Sequence, residues 1–226
     1  MGPLIVIDGL DGSGKETQSK KLTEYLTGLG IRCRYLTFPD YEAESSALVR
    51  LYLSGALGDD PADTGPYAAS SFYAMDRYVS YRTKWEKDYA DENTVLVANR
   101  YTTANAVHQL SKLPREEWDP FLMWLWDYEF EKLGLPKPDL VLYLEMLPEI
   151  SRRLIENRCQ TAGAVRDIHE KDAHHLENSY AAALYASDTL GWQRIRCYDE
   201  ARKEPLSREA IFSAILSCIP KALLPH

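Results

Sequence analysis

The chain is short of cysteine, of positive charge and of long apolar runs. Its cysteines, Cys33, Cys159, Cys197 and Cys218, lie far apart with no C-x-x-C pair. That argues against a zinc knuckle or a disulfide framework and for buried reduced thiols. Lys and Arg number 26 against 34 Asp and Glu, a formal charge of −8. Such a field excludes a general nucleic-acid coat and a polybasic membrane binder. It leaves room for an anionic ligand, because a few local cations and backbone N–H groups can hold phosphate inside an acidic protein. No run of about 18 apolar residues occurs, so no transmembrane helix is expected, and the apolar stretch before Asp8 is too short for a signal peptide. Cytoplasmic residence is the resulting expectation. Internal repeats and low-complexity tracts are also absent.

What remains is a globular composition: 226 residues, 45% hydrophobic and 27% charged. The length suits one domain with an appended lid and is ample for a buried core. Five short apolar runs read as buried strands, at Leu4–Asp8, Arg32–Phe38, Thr94–Ala98, Asp139–Leu144 and Gln193–Tyr198. Helical patterns separate them: one stopping at Gly30, one over Ser45–Ser54, a long one from Pro66 to about Tyr89, and one starting near Thr102. Further patterns cover Arg115–Leu133, Pro148 to about Asn157, a stretch ending near Leu190, and Ser207–Ile219. The alternation predicts an α/β doubly wound five-stranded parallel sheet. Residues 158–172 have weak periodicity and several charges and read as a lid. Ligands of such sheets sit at the strands' carboxyl ends. That selects Gly9–Thr17, Phe38–Tyr41, Asn99–Tyr101, Glu145 and Asp199–Ala201.

Chemistry concentrates first in GLDGSGKET, residues 9–17. It fits G-x-x-x-x-G-K between a strand and a helix, the context of a phosphate-binding loop. Gly9, Gly12, Ser13 and Gly14 let backbone N–H groups turn toward phosphate oxygens. The helix start adds positive potential, and Lys15 brings a charge to the β- and γ-phosphates. A dinucleotide fingerprint fits less well, because Thr17 stands where its next glycine is needed. Glu16 occupies the usual Mg²⁺-binding hydroxyl position and is expected to face solvent, leaving Thr17 to reach a phosphate. Asp11 either anchors an ion, a phosphate or a coordinating water, or caps the helix.

Beyond the loop, the segments TFPDY (37–41), SSFYAMDR (70–77), NRYTTANAVHQ (99–109) and DLVLYLEMLPE (139–149) follow in order. With IVIDGLDGSGKETQ, the chain resembles the bacterial thymidylate kinases, P-loop nucleoside monophosphate kinases, over most of its length. The resemblance implies transfer of the ATP γ-phosphoryl to dTMP, giving dTDP and ADP, with Mg²⁺, a closing lid and a homodimer. It implies that Phe38, Pro39 and Tyr41 lie beside the monophosphate, and that Tyr73 stacks on thymine. Arg77, one helical turn on, would donate to the thymine carbonyl edge. Arg100 would clamp the acceptor phosphate. Asn105, His108 and Gln109 would reach the base or sugar. Lid arginines, chosen from Arg153, Arg158 and above all Arg166, would neutralise charge on the transferred group. Asp11 is the candidate metal contact.

Three departures stand out: Glu16, Asn99 in place of the family's aspartate, and Ile168 in place of its lid arginine. They motivate an alternative, a nucleotide-binding sensor without turnover; a neighbouring reading is a kinase for another deoxynucleoside monophosphate, its base choice set near Asn105 and His108. Clustered histidines at 169, 174 and 175 lack a second ligand group and are not expected to bind metal. The Trp-rich helix from Trp118 to Phe130 is expected to serve the core or a dimer surface.

Overall fold

A computed structural model describes residues 1–58, 60–162 and 173–225. Its centre is a five-stranded, all-parallel sheet. The strands are β1 (Leu4–Gly9), β2 (Arg32–Thr37), β3 (Thr94–Asn99), β4 (Leu140–Glu145) and β5 (Gln193–Arg196), in the spatial order β2-β3-β1-β4-β5. The two strands in which every residue is buried, β1 and β3, are inner strands, as unbroken apolar runs require. The edge strands β2 and β5 instead alternate or carry charge.

Period-2 geometry splits the core into two layers. Ile5, Ile7, Val95, Val97, Leu142 and Leu144 pack on one face, with Leu22 and Leu26 of α1 (Lys15–Gly28) and Ile211, Phe212 and Ile215 of the last helix, α9 (Arg208–Cys218). Leu4, Val6, Leu96 and Ala98 pack on the other, against Phe38, Trp85, Tyr101 and Phe130. A third cluster joins α5 (Thr102–His108), α6 (Trp118–Trp126) and α8 (Ala173–Leu190) through Ala106, Leu110, Phe121, Leu122, Leu125, Ala182 and Ala186. In α6 the apolar face is core, while Met123 and Trp126 are 73% and 42% exposed.

Several boundaries differ from the sequence-based expectations. The 45–54 helix divides into a 3-10 turn (Glu44–Ser46) and α2 (Ala47–Leu53). The long helix from Pro66 is α3 (Pro66–Ser80), a π-type turn (Tyr81–Trp85) and α4 (Glu86–Ala90). The widened turn accompanies burial of Trp85 against Phe38 and Tyr101, a tertiary contact that helical spacing alone does not reveal. Helix α7 (Pro148–Ala162) runs on through 158–162, the beginning of the expected lid, and residues 163–172 lie outside the described ones. The fifth strand stops at Arg196, and Tyr198–Asp199 instead pairs antiparallel with Glu204–Pro205. Of the described cysteine side chains only Cys197 is buried, so the expectation of buried thiols fails at Cys33 and Cys218, which are half-buried. No described helix is long and apolar enough to cross a membrane.

Candidate active site

A cleft of about 740 Å³ opens where β1, β2 and β3 end. The loop after β1 forms one wall. Gly12 and Gly14 have φ of 82° and 87°, which L side chains rarely adopt. A Cβ on Gly9 would lie 2.8 Å from Leu144 O, so this glycine permits close packing behind the loop. No side chain caps the start of α1, which leaves its first N–H groups for an anion. Ser13 is buried with its hydroxyl unpartnered, whereas Gly12, Gly14, Lys15, Glu16 and Thr17 line the cleft. Glu16 faces solvent and pairs with Lys20 at 2.6 Å, as expected of it.

Asp11 does not cap the helix. Its Oδ1 accepts from Lys15 Nζ at 2.9 Å and also from Arg100 Nη2. Arg100 follows β3 with φ 64°, a left-handed backbone at a non-glycine residue that aims the guanidinium back across the cleft. Its Nη1 lies 3.0 Å from His108 Nε2. One carboxylate therefore joins a cation of the phosphate loop to a cation at the end of the neighbouring strand. Burial works against ionised Asp11, yet Arg100, Lys15 and His108 hold its carboxyl well below the usual range. Burial and the Arg100 charge lower Lys15, against the pull of Asp11 and Asp8. Burial likewise opposes the charge on Arg100, and Asp11 and Asp8 outweigh it and raise its pKa.

The far end of the cleft is organised by a residue that sequence reasoning missed. Glu129 is fully buried and takes a two-pronged ion pair from Arg77, Nε to Oε2 at 2.8 Å and Nη2 to Oε1 at 2.6 Å. Thr102 Oγ1 and Asn105 Nδ2 also donate to it, at 2.8 and 3.0 Å, and Arg77 Nη1 reaches Tyr101 O at 3.3 Å. Arg77, read from sequence as facing a base, is thus 1% exposed and held by protein groups on most of its donors, while still lining the cleft. The only hint in the sequence was an acid amid the aromatic run 118–130, and nothing in the pattern showed that it turns inward.

Tyr73 lines the same end, packed edge-on against Tyr52 at 6.3 Å. Phe38 belongs to the core, touching Tyr101 and Trp85, and also borders the cleft. Pro39 follows it through a cis peptide bond, and Tyr41 is half-exposed at the rim. Asp76 accepts from Asp40 N at 2.8 Å and Ser45 Oγ at 2.6 Å, fixing this loop. Asn105, His108 and Gln109 line the cleft, and Gln109 Oε1 is buried without a hydrogen-bond partner. Asn99 donates to Thr37 Oγ1 at 3.1 Å while its Oδ1 is buried and unpartnered.

Of the candidate lid arginines, Arg158 lines the cleft, and Arg153 instead pairs with Glu204 at 2.7 Å. Arg166 lies outside the described residues, as do Ile168, His169 and Glu170. Arg208, at the start of α9, lines the cleft with no sequence signal to announce it. Glu145 and residues 199–201 do not line the cleft: Glu145 accepts from Tyr180 at 3.1 Å, and 199–201 belong to the hairpin after β5. Among the described residues no cluster of three His, Cys, Asp or Glu side chains could hold a metal.

A glycine loop between a central parallel strand and a helix, with a lysine at its head and an arginine opposite, defines a P-loop site of the phosphoryl-transfer type. Comparison with known proteins narrows the class. The family model for thymidylate kinase matches residues 7–198. The chain is 30% identical over 192 residues to the thymidylate kinase of Mycobacterium tuberculosis, covering 84% of this chain and 87% of that one. To the human thymidylate kinase it is 32% identical over 201 residues, covering 86% and 82%. A thymidylate kinase structure from Candida albicans shares the fold, with a TM-score of 0.67 at 18% identity, covering 96% of this chain and 90% of that one. The chain belongs to the thymidylate kinase family.

Proposed function

We propose that the protein transfers the γ-phosphoryl group of ATP to dTMP, giving dTDP and ADP, within a single kinase domain. The observation that carries this reading is the Lys15–Asp11–Arg100 bridge. It brings a donor-phosphate cation and an acceptor-phosphate cation to one carboxylate, at the point where the two phosphates must meet. The loop amides and Lys15 hold the β- and γ-phosphates. Arg100 holds the dTMP phosphate in line, and Asp11 keeps the two cations together until the phosphates take over their charge. The attacking oxygen belongs to a phosphate already anionic at neutral pH, so no general base is needed. Tyr73 and Phe38 flank the base, with Arg77, Asn105 and Gln109 at its polar edge.

Mg²⁺ accompanies ATP in this proposal. Phosphate oxygens supply most ligands of such an ion, with few protein donors. The unpartnered buried Oδ1 of Asn99 is a hard oxygen suited to hold it or its water. The Asp11 carboxylate already faces two cations through Oδ1, which makes its contribution electrostatic. When bound, the ion neutralises charge building on the transferred group. A cytoplasmic homodimer is part of the same reading. The exposed Met123 and Trp126 on α6 support a dimer, which light scattering would test.

The deciding experiment measures ADP formed from Mg-ATP with dTMP, dUMP, dCMP, dGMP and AMP. Turnover is expected to be strongest with dTMP. ATP and dTMP binding without turnover would replace the kinase by a sensor. Preference for another monophosphate would overturn the roles of Tyr73 and Arg77 while keeping the phosphate site.

A further inference from the structure

We propose that His108, backed by Ser179 and His175, is a positioning residue that orients the Arg100 guanidinium for the acceptor phosphate. Five side chains meet here: Arg100 after β3, His108 and Ser111 in and just after α5, and His175 and Ser179 on α8. His108 Nε2 lies 3.0 Å from Arg100 Nη1. His108 Nδ1 lies 3.5 Å from Ser179 Oγ, which is 3.4 Å from His175 Nε2 and 3.3 Å from Ser111 Oγ. Ser111 in turn donates to His108 O at 2.9 Å. Both imidazoles are buried and stack at 5.7 Å with their planes 22° apart. The sequence placed His108 beside base or sugar and left His175 without a task. The structure gives both a place behind the clamp.

Donor and acceptor chemistry assigns the tautomer. A guanidinium has only donors, so His108 Nε2 must accept and the ring proton sits on Nδ1, directed at Ser179. Arg100 is thereby held from two sides, by Asp11 through Nη2 and by His108 through Nη1. A flexible side chain tethered at both terminal nitrogens loses little further freedom when phosphate binds. The link weakens with distance along the chain, so the effect should fall from His108 to Ser179 to His175. A protonated His108 would set N–H against N–H and a positive charge against the guanidinium, and the tether would be lost. The charged and titratable groups that face this ring include Arg100 and Asp11 on the loop side and His175 on α8.

The inference rests on Arg100 acting as the phosphate clamp, so the test covers both. Steady-state rates would be measured at varied dTMP and varied ATP, over a range of pH, for wild type, R100A, H108L, H108Q and S179A. A hydrogen bond to a charged group corresponds to roughly tenfold or more. H108L is expected to raise the KM for dTMP by about tenfold, with the KM for ATP within about twofold. H108Q, which keeps an acceptor near the Nε2 position, should recover most of the loss, and S179A should cost about threefold. The wild-type KM for dTMP should climb in acid more steeply than that of H108Q. The substrate phosphate titrates equally for both enzymes, so the difference isolates the imidazole. If R100A behaves as wild type, the clamp reading fails and this inference with it. If R100A is crippled but H108L matches wild type, or H108Q is no better than H108L, the inference alone fails. Should H108L not fold, parallel acid profiles for wild type and H108Q would overturn it.

Discussion

The two ends of the cleft handle charge in opposite ways. At the phosphate end, Lys15 and Arg100 share one partly exposed carboxylate, and the partnership is one that an incoming phosphate can take over. At the base end, Arg77 is locked to Glu129 with both side chains essentially inaccessible, and two further donors complete the carboxylate's shell. The first arrangement keeps cations charged and close together without a ligand. The second spends its charges on shape: a buried pair stabilises little in net terms but is costly to break, and it fixes Asn105 and Thr102 as well as Arg77. In the proposed reaction the first is a movable counter-charge for the arriving phosphates and the second a rigid wall of the same cleft.

The sharpest way to break this contrast is at the rigid end. Glu129→Gln leaves a buried guanidinium facing an amide and should destabilise the fold by about 3–5 kcal/mol, a Tm loss on the order of 10 °C by calorimetry. A small shift would mean that the base end is no more rigid than the phosphate end. Next comes Lys15→Ala, expected to lower turnover at least ~10²-fold with the Tm near wild type. Wild-type rates in a folded variant would remove the loop lysine from the chemistry.

Asp11→Asn should cost roughly tenfold in turnover, because ligand phosphates replace much of its task. It also carries a pH signature. The folded Asp11 pKa lies below the unfolded value near 3.9, so its stabilisation is complete above that value and lost as pH falls through the folded one. Acid unfolding followed by circular dichroism should show that loss in wild type and not in Asp11→Asn. The last expected effect is one of pH-dependent stability, at Lys112 beside Tyr52. Its ammonium donates to Tyr52 OH at 2.8 Å and Thr64 O at 3.2 Å, and burial pushes its pKa down to about 7. The unfolded chain then binds more protons between about 7 and the ordinary lysine value near 10.4, so this group adds stability as pH rises through that window. Relative to Lys112→Met, wild-type Tm should gain between pH 7 and 10. A constant difference would show that the amine is charged in the fold throughout.

Much of this architecture was legible as pattern. Strand β1 and the loop after it could be read because an apolar run, glycines at fixed offsets and a lysine are local features with local causes. The same held for the start of α5 at Thr102 and for the exposure of Glu16. Two departures were local: α7 runs on through 158–162, and the hairpin after Arg196 pairs Tyr198 with Pro205 and Asp199 with Glu204. Pairing between segments far apart in sequence left no local pattern to read. The helical spacing of Arg77 from Tyr73 is visible in the sequence, while its ion-pair partner Glu129 stands 52 residues away.

The sequence by itself determined the parallel sheet, its central strands and the phosphate loop, because hydrophobic periodicity and glycine's backbone freedom act within a few residues. Only the tertiary structure decided which charges meet. Asp11 and Arg100, 89 residues apart, touch because β1 and β3 are neighbours in the sheet. Glu129 reaches Arg77 because the helices covering that face pack together, and His108 meets His175 because α5 lies along α8. Electrostatic pairing follows distance in space, and strand order and helix packing set that distance.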